Sequence, residues 1–211
     1  MSGCNQYQGA YPYLRERAHV WREIARYVRR DAPEAKVAVE LGPGYCDFIN
    51  AFPADQKIAF DLNPEMREFA NPEIDLRIQD ASHLSDLLPG SVSLIFASNF
   101  LEHLDESEVI ELLSAARKAL SDQGRLILLQ PNHRLCAEHY FDDPTHKTIF
   151  DDRSIGQWLQ QCDLRPRRIV PGLLPFSMKS RLPKWPLLVR LYLNSPFRPM
   201  AAQMYIVAEP A

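Results

Sequence analysis

"VAVELGPGYCDFINAF" occupies residues 37–52 and sets two glycines and a proline directly after an apolar run. Val37 to Leu41 has the length and composition of a buried parallel strand, and the mixed apolar stretch beyond Gly44 has the character of a helix. The glycines therefore mark a tight strand-to-helix turn. Glycine is needed where the main chain turns sharply or approaches another molecule closely, because a Cβ would obstruct both. The start of the following helix adds backbone N–H groups that have no partner within the helix. In open α/β sheets, such a turn at the carboxyl end of a strand is where ligands bind. A dinucleotide fingerprint places a small residue three beyond the second glycine. Here that residue is Asp47, which argues against a nicotinamide-dependent oxidoreductase.

Outward from this turn, strand-like runs recur at Val37 to Leu41, Lys57 to Asp61, Ile74 to Gln79, Val92 to Ser98 and Arg125 to Gln130. Each is separated from the next by enough residues for a helix or a crossover loop, which is the rhythm of a parallel, doubly wound α/β sheet. Leu14, Ala18, Trp21, Ala25 and Val28 repeat at helical spacing among arginines and glutamates, so an amphipathic helix leads the chain. Asp105 with Glu108 three later reads as a capping box, and Val109, Leu112, Leu113, Ala116 and Leu120 form the buried stripe of the helix that follows. Ser154 to Cys162 reads as a further helix, Arg167 to Pro171 and Gln203 to Ala208 as two more strands.

The 211 residues, 46% hydrophobic, suffice for one sizeable core. The reading is a single domain over residues 1–211, with a helical extension at 1–34 and an insertion at 173–199. A net charge of -3, from 24 basic and 27 acidic residues, provides no field for nucleic acid. Cys4, Cys46, Cys136 and Cys162 are scattered and form no C-x-x-C pair, which points to a reducing, cytoplasmic setting rather than a disulfide framework or zinc knuckle. The N-terminal stretch MSGCNQYQGAYPY lacks the apolar core of a signal peptide, and no run has the length of a membrane span.

Three acids stand at or just beyond successive strand ends: Glu40, Asp61 and Asp80. Asp61 lies nineteen residues after Gly42, near the spacing at which an acid accepts hydrogen bonds from ribose hydroxyls. At this point the chain resembles the class I S-adenosylmethionine-dependent methyltransferases, most closely the type 11 and type 23 groups acting on small molecules and glycans. The resemblance covers roughly residues 35–170 and rests on "VAVELGPGYCDFI", "AFDLNPEM", "IQDASHL", "SVSLIFASNFLEHL" and "DQGRLILLQPN" in order. It implies a Rossmann-like, seven-stranded, mostly parallel sheet with an antiparallel last strand and helices on both faces. It also implies S-adenosyl-L-methionine as cofactor. Glu40, Gly42 and Gly44 would border its methionine end, Asp61 its ribose, Asp80 with Ala81 its adenine, and Leu62, Ser98 and Asn99 would complete the site. Many members have a third glycine where this chain has Cys46, so the wall there is bulkier.

Methyl transfer from a sulfonium is an in-line displacement that needs alignment and a dry site, and a base only if the acceptor must lose a proton. The candidates lie past the fourth and fifth strands: Asn99, Glu102 and His103, then His133, His139, Asp143 and His146 in the aperiodic stretch from Pro131 to Asp152. A loop this long in a compact domain is usually functional. His103, His133 and His146 are taken as the catalytic set. His139 and His146 with Asp142 or Asp143 have the donor types of a metal site, but loop histidines more often meet solvent or substrate, and no metal is assigned. The expected activity is methylation of a hydroxyl or carboxyl of a small molecule or saccharide. The alternatives are a nicotinamide-dependent oxidoreductase, which Asp47 speaks against, and a non-catalytic S-adenosylmethionine-binding protein. Finally, Leu173 to Pro199 mixes Lys179, Arg181, Lys184, Arg190 and Arg198 with aromatic and leucine residues. It reads either as a helical lid or homodimer surface, or as an interfacial element touching the inner face of an anionic membrane.

Overall fold

The computed structural model describes residues 13–175 and 184–211. Cys4 and the stretch from Phe176 to Leu182, with Lys179 and Arg181, lie outside them. Seven strands form one sheet: β1 Val37–Leu41, β2 Gln56–Asp61, β3 Ile74–Ile78, β4 Val92–Ser98, β5 Leu120–Pro131, β6 Leu164–Pro175 and β7 Ala201–Pro210. Their order is β3-β2-β1-β4-β5-β7-β6, with β1 to β5 parallel and β7 antiparallel to both its neighbours. This is the Rossmann-like, doubly wound arrangement, and the sheet order reverses direction between β1 and β4, where such folds open a crevice.

Alternation along the strands supplies a core on each face. Ala38, Phe96, Ile127, Leu129, Tyr205 and Val207 face one side, where helices α1 (Arg17–Val28) and α2 (Asp47–Ala51) pack. Val39, Ile95, Ala97, Leu126, Leu128 and Ile206 face the other, against α3 (Glu106–Ala119). The α3 start has both halves of its capping box: Asp105 accepts the Glu108 N–H at 3.0 Å, and Glu108 accepts the Asp105 N–H at 2.8 Å. Val20, Ile24 and Val28 of α1 are buried, each contributing roughly 1.5–3 kcal/mol through lost apolar exposure.

Several local expectations are corrected. The leading helix starts at Arg17 rather than Leu14, and the helix after the glycine turn spans only Asp47–Ala51. After β2 and β3 there are only 3₁₀ turns, Pro64–Glu68 and Ala81–Asp86. The last three strands are longer than the apolar runs suggest: β6 and β7 because their antiparallel pairing continues through Arg165 and Glu209 at the rim, and β5 because Leu120 pairs with Val92 of β4 across a bulge. The stretch from Pro131 to Asp152 is not structureless. It contains α4 (His133–Cys136) and a 3₁₀ turn at Tyr140–Asp142, followed by α5 (Ile155–Gln161), and it buries Tyr140 and Phe150 completely.

The insertion ends in α6, Pro186–Asn194, which lies on α1. Val189 and Leu193 join the core there, and Arg190 forms a two-pronged pair with buried Glu23 at 2.9 and 3.0 Å. Arg198 donates to the Leu193 carbonyl at 3.1 Å. Two of the basic residues read as free for lipid are thus turned toward the protein. Trp185 and Phe197, at 72% and 78% exposure, and Leu187 and Leu191 stay outside.

Candidate functional site

The parallel register puts the functional strand ends along one edge: Leu41 lies opposite Phe60 and Ala97, Asp61 opposite Ile78, and Ser98 opposite Leu129. The glycine turn caps that edge. Gly42 and Gly44 both adopt left-handed backbone angles, φ +61° and +52°. A Cβ on Gly42 would sit 2.5 Å from Phe100 Cδ2, so the turn and the start of the fourth motif are in close contact and only glycine fits. Cys46 has φ +56°, a backbone angle that favours glycine, and is fully buried. The backbone keeps the glycine conformation at a cost of about 1–2 kcal/mol, and the side chain turns inward, with Sγ 3.7 Å from the Gly44 carbonyl oxygen. It packs rather than reacts; burial pushes its thiol pKa up.

The acids behave differently from one another. Glu40 is buried, and its carboxylate accepts the Ile49 N–H at 3.0 Å, tying β1 to α2. Burial holds its pKa well above the usual carboxylate range. Asp61 is half-buried and bridges two loops, accepting the Gly44 N–H at 3.2 Å and the Asn63 N–H at 2.8 Å. Burial raises its pKa against the opposing Asn63, Gly44 and Leu62 N–H groups. Asp80 is exposed and caps the next turn through the Ser82 N–H at 2.8 Å, which lowers its pKa. Leu62 stands 69% exposed beside Asp61, and Ala81 is buried beside Asp80. Asp47 is occupied by Arg17 at 3.0 Å, which pins α1 across the turn. Asn99 has φ +47°, and its side-chain oxygen accepts from Gln203 at 2.8 Å; the Ser98 hydroxyl is buried without a partner among the described residues.

Beyond β4 the long loop folds back onto the 3₁₀ turn Leu101–His103. The Glu102 carbonyl accepts the N–H of Lys147 at 2.7 Å and of Thr148 at 3.3 Å, and the Thr148 hydroxyl donates to the Leu104 carbonyl at 2.7 Å. The Tyr140 hydroxyl donates to the Thr148 carbonyl at 2.7 Å. These bonds bring His103 and His146 edge to face, with ring centroids 5.0 Å apart, and Tyr140 packs between His146 and His133 at 4.9 and 5.2 Å. His103 and His146 thus meet directly, and Tyr140 stands between His146 and His133. His139 is not part of this group: it pairs at the surface with Asp142 at 3.0 Å.

The geometry also assigns the tautomer of His103. The Thr145 hydroxyl lies 2.5 Å from Asp143 Oδ1 and 2.9 Å from His103 Nδ1. Its one proton goes to the carboxylate, which can only accept, so it must accept the Nδ1–H of His103. The lone pair then sits on Nε2. Burial, and next His146, lower the His103 pKa, so the ring is neutral near pH 7. Glu102, a candidate from the sequence, stands beside the two imidazoles. Thr145 and Tyr140 were missed altogether, since only the loop's folding brings them to the site.

A methyltransferase-domain family model matches residues 13–168. The chain belongs to this methyltransferase family. No curated protein matches it by sequence. Among solved structures, an S-adenosylmethionine-dependent methyltransferase from Archaeoglobus fulgidus is similar at TM-score 0.67 and 18% identity, covering 98% of this chain and 99% of that one. A second from Thermotoga maritima has TM-score 0.69 and 18% identity, covering 97% and 94%. The Haloferax volcanii protein solved in complex with the Trm112 methyltransferase activator has TM-score 0.69 and 11% identity, covering 99% and 97%. At these identities the likeness speaks to the fold. The methyltransferase is an enzyme with S-adenosylmethionine as cofactor, which removes the oxidoreductase and non-catalytic readings. Its glycine turn, the Asp61 carboxylate and the exposed Leu62 beside it fit an adenosyl group: bare main chain, an acceptor for hydroxyls and an apolar surface for a base.

Proposed function

We propose that this methyltransferase transfers its methyl group to a hydroxyl or carboxyl of a small molecule or saccharide. The observation that supports this reading is the His103 tautomer. A neutral imidazole with Nδ1–H held by Thr145 and Asp143 presents Nε2 as a proton acceptor at the carboxyl edge of β4. A hydroxyl must lose its proton as it is methylated, and a positioned base contributes about 10²- to 10⁴-fold. A carboxylate arrives ionised and needs only alignment, so the arrangement favours hydroxyls. S-Adenosylmethionine, when bound, supplies an electrophilic methyl on a sulfonium. In this reading Glu40 braces the turn from behind while Gly42 and Gly44 border the methionine moiety. Asp61 receives the ribose hydroxyls, Leu62 packs on the adenine, Asp80 and Ala81 read its edge, and Ser98 and Asn99 close the site. His133 and His146 line the acceptor side with Tyr140, which helps exclude water. The chain is one catalytic domain, to which 1–34 and 173–199 are additions. Methyl transfer from labelled cofactor to a panel of sugar nucleotides, lipid-linked sugars, phenols, small acids and amines tests this. Turnover confined to amines or carbon acceptors overturns it.

The exposed Trp185, Leu187, Leu191 and Phe197 support a second element of the proposal, a peripheral contact of α6 with an anionic cytoplasmic membrane face. No helix among the described residues is long and apolar enough to cross a membrane. Three buried free thiols, Cys46, Cys136 and Cys162, suit the cytoplasm. Because Arg190 is held by Glu23, the informative variant is Trp185→Ala with Leu191→Glu. Wild-type protein should co-sediment with anionic vesicles in a salt-sensitive manner, and the variant should stay in the supernatant. Wild-type protein that ignores the vesicles but elutes as a dimer would reassign the face to a homodimer.

A further inference from the structure

We infer that Glu102, His103 and His146 form a binding site for a first-row divalent transition cation such as Zn²⁺. One donor atom from each lies within 4.8 Å of the other two. Bound zinc sits about 2.0–2.2 Å from each nitrogen or oxygen, so neighbouring donors in such a site are roughly 3.4 Å apart. Closing the cluster from 4.8 Å needs side-chain movements on the order of 1 Å.

Two further observations point to a cation. The first is Glu102 itself, which is completely buried, with neither carboxylate oxygen in a hydrogen bond among the described residues. A buried carboxylate with no partner is strongly unfavourable and is found paired or on a metal. The Phe100 N–H is taken by Gln130 Oε1 at 3.2 Å rather than by Glu102. The backbone of Glu102 is anchored, its carbonyl accepting the Lys147 and Thr148 N–H groups. The second is the support behind the imidazoles. Thr145, itself held by Asp143, fixes Nδ1–H of His103 and leaves the Nε2 lone pair to coordinate, as outer partners of metal-bound histidines do. His146 Nδ1 is likewise buried without a hydrogen-bond partner among the described residues.

Two imidazoles and one carboxylate form a borderline donor set that suits Zn²⁺, Co²⁺, Ni²⁺ or Fe²⁺ better than Mg²⁺ or Ca²⁺, which prefer all-oxygen shells. Three protein ligands leave a coordination position open. On the oxygen-acceptor reading above, on which this role rests, that position takes the acceptor hydroxyl. With the cation bound, His103 is a ligand and the cation lowers the pKa of the hydroxyl, whose proton leaves to solvent as the O–C bond forms and the S–C bond breaks; without the cation, His103 takes that proton itself.

The test uses the full chain, freed of metal with a chelator and titrated with Co²⁺ and then Zn²⁺. Expected are one equivalent of Co²⁺ with a visible ligand-field spectrum, displacement by Zn²⁺, and no response to Mg²⁺. His146→Ala and Glu102→Gln should each weaken binding at least about tenfold. Thr145→Ala, which keeps every ligand, should weaken it less and guards against a misfolded Glu102 variant. His139→Ala should leave it unchanged. Absence of Co²⁺ binding, or binding unaltered in His146→Ala and Thr145→Ala, overturns the site. Metal-free protein that retains full methyl transfer to a hydroxyl, and binds no Co²⁺, would refute the cation while leaving His103 as base.

Discussion

His103→Ala should lower kcat toward a hydroxyl acceptor by about 10²- to 10⁴-fold, equivalent to roughly 3–5 kcal/mol of transition-state stabilisation. The same variant should bind S-adenosylhomocysteine within about twofold of wild type, because an interaction made only with the reacting acceptor does not contribute to cofactor affinity. His103 stands on the turn beyond β4, and Thr145 and Asp143 hold its ring. Removing the imidazole removes the lone pair but leaves the Glu102 main-chain bonds that anchor the long loop. His133→Ala and His146→Ala should follow the same pattern with smaller losses. His139→Ala should be silent, since its pairing with Asp142 is an exposed ion pair of the kind that contributes little. Single-turnover methyl transfer, with calorimetry of the cofactor product, measures both quantities. Equal loss of turnover and of cofactor affinity in His103→Ala would mean that the residue shapes the cofactor pocket instead.

Asp61→Ala should weaken S-adenosylhomocysteine binding by about 2–4 kcal/mol, or roughly 30- to 1,000-fold. The carboxylate offers about four lone-pair sites; the Gly44 and Asn63 N–H groups take one on each oxygen and the Leu62 N–H lies close by, which leaves acceptor capacity for ribose hydroxyls. Truncation removes those charge-assisted bonds and also frees the Gly44 N–H, loosening the turn that Gly42 and Phe100 define. Asp61→Asn should fall between the two, because its amide oxygen can still accept. Calorimetry of variants whose melting temperature confirms folding gives the answer. Unchanged affinity in a folded Asp61→Ala variant would take Asp61 out of the site.

The outcome for each element follows the range of the physics behind it. The β1 strand, the α3 capping box and the glycines of the turn depend on alternation, on a side chain reaching three residues along, and on the backbone freedom of single residues, so "VAVELGPG" and "DESE" could be read directly. The parallel sheet follows from the spacing of apolar runs, because each run too apolar for a surface must be covered on both faces. The five motifs in order carried the family and its cofactor for the same reason: each is a short segment whose residues act where they stand.

Tertiary structure decided what depends on distant partners. Glu40, Asp61 and Asp80 look alike as acids at strand ends, yet one braces α2 from the interior, one bridges two loops and one caps a surface turn. Only the packing around each distinguishes them. Arg190 reads as a free lipid-facing cation until α6 lies on α1 and Glu23 takes it. Pro131 to Asp152 has no period because no continuous face of it packs. Its conformation is set instead by single hydrogen bonds from Lys147 and Thr148 to the Glu102 turn and by the burial of Tyr140 and Phe150. The sequence by itself determined the sheet, the glycine turn after its first strand and which histidines follow the fourth and fifth strands. The meeting of His103 with His146 and Glu102, and the Thr145 contact that sets the His103 tautomer, arose only on folding, because those residues are distant along the chain and nothing local brings them together.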